Sequence, residues 1–424
     1  MRRVTPILAL SALMLSTPSL SQVNEDDWRV EVESFLLGTY SVRTAGEPPA
    51  GPEGREFLLA EERLRLDLTL WTDAIDAEAR LKLDALHDAV SRDFDVDLRE
   101  AYLDYSTGTL DFRLGRQIAT WGVGDFLFIN DVFPKDWVSF FSGRPLEYLK
   151  LGVDSARVRY SNSALNLELM VMPRFKPDTL PTPRRFFLHD EFVGVAERIQ
   201  ILPDSGFDDP EFALRLYRRI AGFDISAYAY RGYWRSPGQL ANDPDMPTQV
   251  TQFFPALSVY GISAQGQAMG GILSLEGGYY DSRDDKTGDN PAIANSQVRF
   301  LVGYQKQLLD DFTIGVQYYT EIMMDFDNYR QALLASGVPR KKYRDIVTLG
   351  LTRFLKHKTW TLSLFAFYSP AEQDYLLQPQ LHYRVSDNFS TTLGANVFGG
   401  EKPTTFFGQF DRNDNLYLTL RYDF

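Results

Sequence analysis

The sequence predicts an all-β protein, a transmembrane antiparallel β-barrel of about 18 strands with long extracellular loops and short periplasmic turns. Three observations predict this fold. Hydrophobicity alternates with a period of two along many segments, the connections between these segments alternate between short and long, and the last segment ends on Phe424. A membrane-crossing strand needs this period because alternate side chains face lipid and the barrel interior.

The segment 63–70 shows the alternation most clearly. One face carries Leu64, Leu66, Leu68 and Leu70, and the other carries Arg63, Arg65, Asp67 and Thr69. Segments of this kind occur at 29–40, 62–70, 75–84, 96–105, 109–117, 154–161, 164–173, 212–220, 223–232, 256–264, 271–280, 296–308, 312–322, 345–355, 359–369, 375–385, 389–398 and 415–424. Most are near the ~10 residues that a tilted strand needs to cross a bilayer. The period alone also fits a soluble sandwich.

The connections distinguish the two folds. Short turns such as 72–74, 106–108 and 221–222 alternate with long segments such as 118–153 and 174–211. Outer-membrane barrels have short periplasmic turns and long extracellular loops, whereas a soluble β protein has no reason for this alternation. We therefore predict that 22–424 form the barrel and that both barrel termini are periplasmic.

Both ends of the chain carry features of exported proteins. Arg2 and Arg3 precede a short apolar stretch that ends in small residues, so 1–21 is predicted to be a signal peptide. Its removal before Gln22 would take away two positive charges and change the net charge from −13 to −15. The last strand resembles the signal that the barrel-assembly machinery recognises, with Phe424 as its terminal aromatic residue.

The composition excludes several other classes of protein. The chain has no cysteine, which excludes disulfide scaffolds, thiolate metal sites and a cysteine nucleophile. After the first 21 residues no run of 18 apolar residues occurs, so no membrane-spanning helix is predicted. No cofactor, metal site or nucleic-acid partner is predicted. The expected partners are outer-membrane lipids and lipopolysaccharide, the assembly machinery and a small-molecule solute, and the oligomeric state stays open.

The face opposite the aliphatic side chains is predicted to line the lumen, because a charge at the lipid face costs about 2–4 kcal/mol near the midplane. Pairing of the charges between neighbouring strands is one interpretation. The alternative is that Arg113, Arg157 and Arg159 attract an anionic or hydroxylated solute, since guanidinium groups bind carboxylates bidentately. The predicted pore-lining residues are Arg63, Arg65, Asp67, Arg113, Gln117, Arg157, Arg159, Glu168, Arg215, Arg299, Arg384 and Arg421.

An 18-stranded barrel leaves an aqueous channel unless something fills it. The third long connection, 118–153, is the predicted filler, because so aromatic a loop would be unstable in open water. We predict that it folds inward as a constriction, and docking on neighbouring loops is the alternative. The predicted constriction residues are Trp121, Asp125, Phe126, Phe128, Asn130 and Asp131.

The start of this loop resembles a known family. Phe112-Arg113-Leu114-Gly115-Arg116-Gln117 is followed by Trp121-Gly122 and an acidic, phenylalanine-rich stretch, and 110–137 resembles the alginate-export-type outer-membrane porins. The resemblance implies a passive or gated channel for a sugar acid, oligosaccharide or other organic solute, with Arg113 and Gln117 as candidate selectivity residues. Strict alternation points Arg116 outward, so either Gly115 forms a bulge that re-aims it or it lies at the outer rim near lipid phosphate.

Three functions are open from the sequence. The favoured one is a porin-like channel for small organic or sugar-acid-like solutes, with selectivity set by the lumenal charges and the third loop. The second is a plugged barrel that serves as the outer-membrane component of an export or assembly system. An outer-membrane hydrolase is disfavoured, because no nucleophile or paired-carboxylate motif accompanies the four histidines, His87, His189, His357 and His382.

Overall fold

A computed structural model of the chain describes residues 28–44, 46–72, 74–195, 197–204, 206–243, 246–333 and 337–424. The predicted signal peptide, 1–21, lies outside these residues. Eighteen strands form one antiparallel sheet, and the sheet closes because the first strand pairs with both the second and the last. The predicted barrel and its strand number are confirmed.

Every alternating segment of the sequence overlaps one strand of the barrel. The barrel strands are β1 (Arg29–Arg43), β2 (Phe57–Thr72), β3 (Ala77–Asp88), β4 (Asp93–Thr107), β5 (Leu110–Gln117), β6 (Val153–Ser161), β7 (Asn166–Met172), β9 (Glu211–Ile220), β10 (Phe223–Tyr233), β13 (Ala256–Ala268), β14 (Gly271–Ser282), β15 (Gln297–Leu309), β16 (Phe312–Met323), β17 (Tyr343–Leu355), β18 (Trp360–Ser369), β19 (Asp374–Arg384), β20 (Phe389–Gly400) and β21 (Asn415–Asp423).

Three further strands form a separate small sheet and were not predicted. They are β8 (Glu197–Ile201), β11 (Gly238–Ala241) and β12 (Gln249–Phe253). Strands of four or five residues are too short for a period of two to stand out. The helices are short: α1 (Trp137–Ser142), α2 (Phe326–Ala332) and two 3-10 helices, Leu146–Tyr148 and Gly408–Asn413. In the described part of the chain, none of the helices has the length and apolar character needed to cross a bilayer.

The two faces of the sheet differ as the alternation predicts. Arg63 and Arg65 on β2 are 6% and 4% exposed, whereas Leu64 and Leu66 on the other face are 46% and 40% exposed. The pairing of β1 with β21 places Leu36 opposite Tyr422, so the apolar outer surface continues across the closure. An exposed aliphatic band around a closed barrel is the surface that meets lipid.

Long and short connections lie at opposite ends of the barrel, which we call the loop end and the turn end. The long connections used below are L3 (118–152), L4 (173–210), L5 (234–255) and L9 (401–414). The alternation of lengths is less strict than predicted, because the loop end also carries the four-residue connections 89–92 and 370–373. Strands β3 and β4 extend as a long hairpin there, so little chain is left to form a loop.

We predict that Leu64→Arg lowers the free energy of unfolding in lipid by about 2–4 kcal/mol, because Leu64 lies midway along β2 on the lipid-facing surface. Urea unfolding in lipid vesicles measures the change. Leu64→Met is the matched control, since it keeps an apolar side chain of similar size. Equal stability of the two variants would contradict the outward register.

Candidate functional site

Most charged side chains predicted to line the lumen form ion pairs with residues of nearby strands. The pairs are Arg65 with Asp84 (2.5 Å), Arg63 with Asp84 (3.0 Å), Arg80 with Asp67 (2.8 Å), Arg113 with Asp104, Arg157 with Asp104 (3.9 Å), Arg159 with Glu168 (3.7 Å) and Arg299 with Glu321 (3.4 Å). Burial at the wall costs less free energy for paired charges than for isolated ones, because attraction within each pair offsets the desolvation of both groups.

Four other predicted residues make different contacts. The Gln117 amide donates to the carbonyl of Ser155 at 3.3 Å. The Arg215 guanidinium donates to the Ser226 hydroxyl at 3.1 Å. Arg421 lies over the ring of Phe35, 3.8 Å from its centroid, and pairs with Asp423 of its own strand at 2.8 Å and with Glu147 of L3 at 3.5 Å. Arg384 is exposed near the turn end of β19.

L3 crosses the lumen from one wall to the other. It contacts Glu276 on β14 and Glu61 on β2. These two strands are nine positions apart in a closed sheet of 18, so they face each other across the barrel. L3 therefore divides the interior into a part on its loop-end side and a part on its turn-end side.

The Glu276 carboxylate is the main contact of L3 on β14. It accepts hydrogen bonds from the backbone N–H groups of Val123 (2.9 Å), Gly124 (3.2 Å) and Asn130 (2.8 Å), and from the Asn130 side-chain amide (2.9 Å). Gly122 has a φ of 81°, and a Cβ there would lie 2.6 Å from a Glu276 oxygen. The Trp-Gly motif thus lets the loop wrap around a carboxylate, and hydrogen bonds to an ionised acceptor are stronger than neutral ones.

Two glycines in the wall make room for L3. Gly261 on β13 and Gly278 on β14 are cross-strand partners. A Cβ on Gly261 would overlap the Asn130 side-chain oxygen, and a Cβ on Gly278 would lie 2.7 Å from a methyl carbon of Ile129. Any larger side chain at these positions would force L3 away from the wall.

Arg144 joins L3 to the opposite wall. Its guanidinium donates to both oxygens of Glu61, at 2.8 and 2.5 Å, and to Asp136 at 3.1 Å, the residue that caps α1. Burial lowers the pKa of Arg144, but Glu61 and Asp136 outweigh burial and raise the pKa above its ordinary value. The side chain therefore stays charged in its buried position.

The Tyr148 ring lies among three arginines of the wall. The guanidinium carbons of Arg63, Arg99 and Arg65 are 4.3, 4.7 and 5.1 Å from its centroid, and cation–π contacts contribute about 0.5–2 kcal/mol each. Arg99 was not predicted, because alternation from Glu100 points it outward. A register shift between β3 and β4 skips Arg99, as in a β-bulge, and leaves both residues buried.

The other predicted constriction residues also contact the barrel wall or the interior of L3. The Trp121 indole N–H donates to Glu168 at 3.2 Å, and the Asp125 carboxylate accepts from the Gln317 amide at 3.2 Å. The ring contacts are Phe126 with Phe365 (4.8 Å) and Phe128 with Trp137 (6.0 Å). Asp131 lies 3.2 Å from both Lys135 and Lys150, and burial lowers the pKa of Lys135.

A packed apolar core fills much of the loop end of the barrel. It joins buried residues of L3 to residues of L4, L9 and the wall, among them Ile129, Phe133, Phe140, Phe141, Phe186, Phe367, Phe398, Phe407 and Phe410. On the loop-end side of L3 this core borders a cavity of about 840 Å³.

Arg116 lies on the outer face at the loop end of β5. The register of β5 with β6 is regular through Gly115, so no bulge re-aims Arg116. Its guanidinium instead pairs with Asp154 at 2.7 Å and donates to the carbonyl of Leu98 at 3.2 Å. Gly115 has a φ of 128°, and a Cβ at this position would clash with the backbone of Ala101. Of the two alternatives, the rim position fits the structure.

Several residues that hold L3 were missing from the predicted site. They are Glu61, Arg99, Arg144, Tyr148, Gly261, Glu276 and Gly278. The alternation places Glu276 on the lumenal face, but it does not say which loop residue reaches that face. The only local signal was the unusual number of glycines in β13 and β14.

Residues 71–282 match a protein family described as "Protein of unknown function (DUF1302)", and the match spans half of the chain. The chain belongs to this family. The matched region includes β3 to β14 with all of L3 and Glu276. L3 and its contact with Glu276 therefore lie within the matched region, whereas Glu61 lies before it.

Three crystal structures of Pseudomonas aeruginosa proteins have a similar fold. OccD3 (OpdP) has a TM-score of 0.55 at 10% identity, covering 93% of this chain and 91% of its own. OccK3 (OpdO) has 0.54 at 10%, with 93% and 95% covered, and OccK5 (OpdH) has 0.53 at 13%, with 93% and 97% covered. The likeness concerns the fold, that of outer-membrane porins, and the predicted porin-like barrel is confirmed at that level.

We predict that Gly261→Ala weakens the attachment of L3, because the added methyl group overlaps Asn130. The chain has no cysteine, so Val132→Cys provides a single buried thiol in L3. Maleimide labelling of this thiol should be at least several-fold faster in the Gly261→Ala background.

Gly277→Ala is the matched control. A Cβ at Gly277 makes only ordinary contacts, the nearest being 3.5 Å to Phe300, so labelling should keep the parental rate. Equal labelling rates in both backgrounds would show that the glycine at 261 is not needed to seat L3.

Proposed function

We propose that the protein is an outer-membrane channel for small organic or sugar-acid-like solutes, and that L3 closes its lumen at rest. The observation that carries the proposal is the attachment of L3 to opposite walls, through Glu276 on β14 and Glu61 on β2. A loop held only at its base would narrow the lumen, whereas a loop that is bound at both walls and packed in an apolar core can close it. Opening then requires that at least one attachment be released.

Selectivity is proposed to come from the predicted lumenal residues and from the constriction residues of L3. The ion pairs leave some basic groups with weak partners, since Arg157 and Arg159 lie 3.9 and 3.7 Å from their carboxylates. An anionic solute can compete for such groups more easily than for the closely held Arg65. The alginate-export-type resemblance points to two other wall residues, Arg113 and Gln117.

A second candidate is a barrel that works as the outer-membrane component of an export or assembly system. The apolar core at the loop end favours it, because so much packed surface is costly to displace without a partner. The two functions differ in what opens the barrel. A channel would be opened by a solute or by a small fluctuation of L3, whereas an export or assembly component would be opened by a partner complex.

Planar-bilayer recordings of the purified full chain test these proposals. We expect the wild type to show rare openings, and Gly261→Ala to raise the open fraction several-fold because L3 is less firmly seated. Gly277→Ala should behave as the wild type. A wild type that conducts steadily at the level of Gly261→Ala would overturn closure by L3, and no current in any variant would favour the partner-driven barrel.

The position in the membrane is proposed to be that of other outer-membrane barrels, with the loop end outside, both barrel termini periplasmic, and the rim in contact with lipopolysaccharide. The ion pair of Arg116 with Asp154 on the outer face at the loop end supports contact of this rim with headgroups, because charged groups are well solvated there. The assembly machinery is proposed to recognise β21 and Phe424, whose side chain is 63% exposed beside Tyr422.

We predict that deletion of Phe424 reduces the amount of folded barrel in the outer membrane several-fold during expression. The purified, refolded variant should keep nearly wild-type stability, because the side chain contributes little buried surface. Heat-modifiable migration in gels measures both quantities. Replacement by Trp, which keeps a terminal aromatic residue, should restore assembly, and a normal yield of the deletion variant would contradict the role of Phe424.

A further inference from the structure

The cavity of about 840 Å³ on the loop-end side of L3 has the size of a ligand site. L3 forms its floor, and the loop ends of β14 to β17 with L4, L5 and L9 form its sides. We propose that it binds organic acids with a large apolar, aromatic-type body and a single carboxylate, and that Arg344 pairs with that carboxylate. This inference rests on the proposed channel function and names its substrate class.

The walls of the cavity are rich in aromatic residues. Sixteen of its 42 lining residues are Phe, Tyr or Trp, against 14% of the whole chain. Phe140 is central among them, with ring centroids 5.8 Å from Phe126 and 5.7 Å from Phe367. A flat apolar body can pack edge-to-face or offset-stacked on such rings. Hydroxyl groups of a sugar that face these rings would lose hydrogen bonds to water, because the ring faces offer no equivalent donors or acceptors.

A row of charged residues borders this aromatic wall. Strand pairing places Arg299 on β15 opposite Glu321 on β16, and Glu321 opposite Arg344 on β17. Glu321 lies 3.4 Å from Arg299 and accepts a hydrogen bond from Tyr319 at 3.0 Å. Arg299 also donates twice to Gln297, so its guanidinium is well occupied. The row has two cations and one anion, and thus an excess positive charge.

Arg344 carries this excess. Within the described ranges, it is the one lysine or arginine of the cavity lining without a carboxylate oxygen inside 4.0 Å; Lys135, Arg184, Arg198, Arg235 and Arg299 all have one. Its guanidinium lies over the Phe406 ring, 4.6 Å from the centroid. Stacking on a ring holds the planar group in place and leaves its edge N–H donors free for a bidentate carboxylate.

Naphthalene-2-carboxylate and its neutral amide, naphthalene-2-carboxamide, are the probes that test this site. Both fit the aromatic wall, and only the first can pair with a cation. Titration calorimetry uses the full barrel in lipid nanodiscs, with empty nanodiscs as the blank. We expect the carboxylate to bind at least tenfold more tightly than the amide, and Arg344→Gln to remove this difference.

Arg353→Gln is the matched control. Arg353 lies on the same strand but near the turn end, exposed and 3.7 Å from Asp311, so its replacement should leave both affinities unchanged. Heat-modifiable migration verifies that each variant is folded. Equal binding of carboxylate and amide, or an unchanged affinity in Arg344→Gln, would overturn the role of Arg344. Tighter binding of glucuronate than of naphthalene-2-carboxylate would overturn the apolar substrate class.

Binding and conduction are measured separately, so the two proposals can fail independently. If binding depends on Arg344 but no L3 variant conducts current, the proposed binding site is supported and the proposed channel is contradicted. The opposite result is current through the Gly261→Ala variant that naphthalene-2-carboxylate does not change, with no binding of this compound. That result would support the proposed channel and contradict the proposed binding site.

Discussion

The need to satisfy every backbone hydrogen bond inside a bilayer is the constraint on which this structure depends. A sheet meets it only by closing on itself, and here β1 closes the barrel by pairing with β21. Closure with 18 strands creates an interior too wide for wall side chains alone to fill. That width leaves room for the long loops, and apolar residues of L3, L4 and L9 pack together inside the loop end.

L3 is held at the wall by hydrogen bonds and by glycines that leave room for it. Glu276 supplies acceptors for four N–H groups, and the glycine pair Gly261 and Gly278 supplies the room for the loop to reach them. On the other wall, Arg144 and Tyr148 bind carboxylate and arginine groups of β2. Removing one partner of a buried charged contact is costly, so these few residues control whether the loop stays seated.

The same loop has two functional surfaces. Its polar edges contact the wall, while its phenylalanines form the floor of the aromatic cavity and part of the apolar core. A solute that occupies the cavity therefore rests on the segment whose position determines whether the lumen is open. The proposed closure by L3 and the proposed acid site are joined in one structural element, since Phe126 and Phe140 belong to both.

The sequence by itself determined the 18 barrel strands and the face that most of their side chains take, because a period of two is a local property that lipid enforces along a membrane-crossing strand. It also indicated that 118–153 is too apolar for water. Only the tertiary structure decided what L3 touches: the bond from Asn130 to Glu276 joins residues 146 positions apart, and Gly261 matters only because Asn130 lies against it. Likewise, the side chain of Arg99 enters the lumen because of a bulge in β4. Arg344 has no carboxylate close to it among the described residues, and this depends on how β15, β16 and β17 pair.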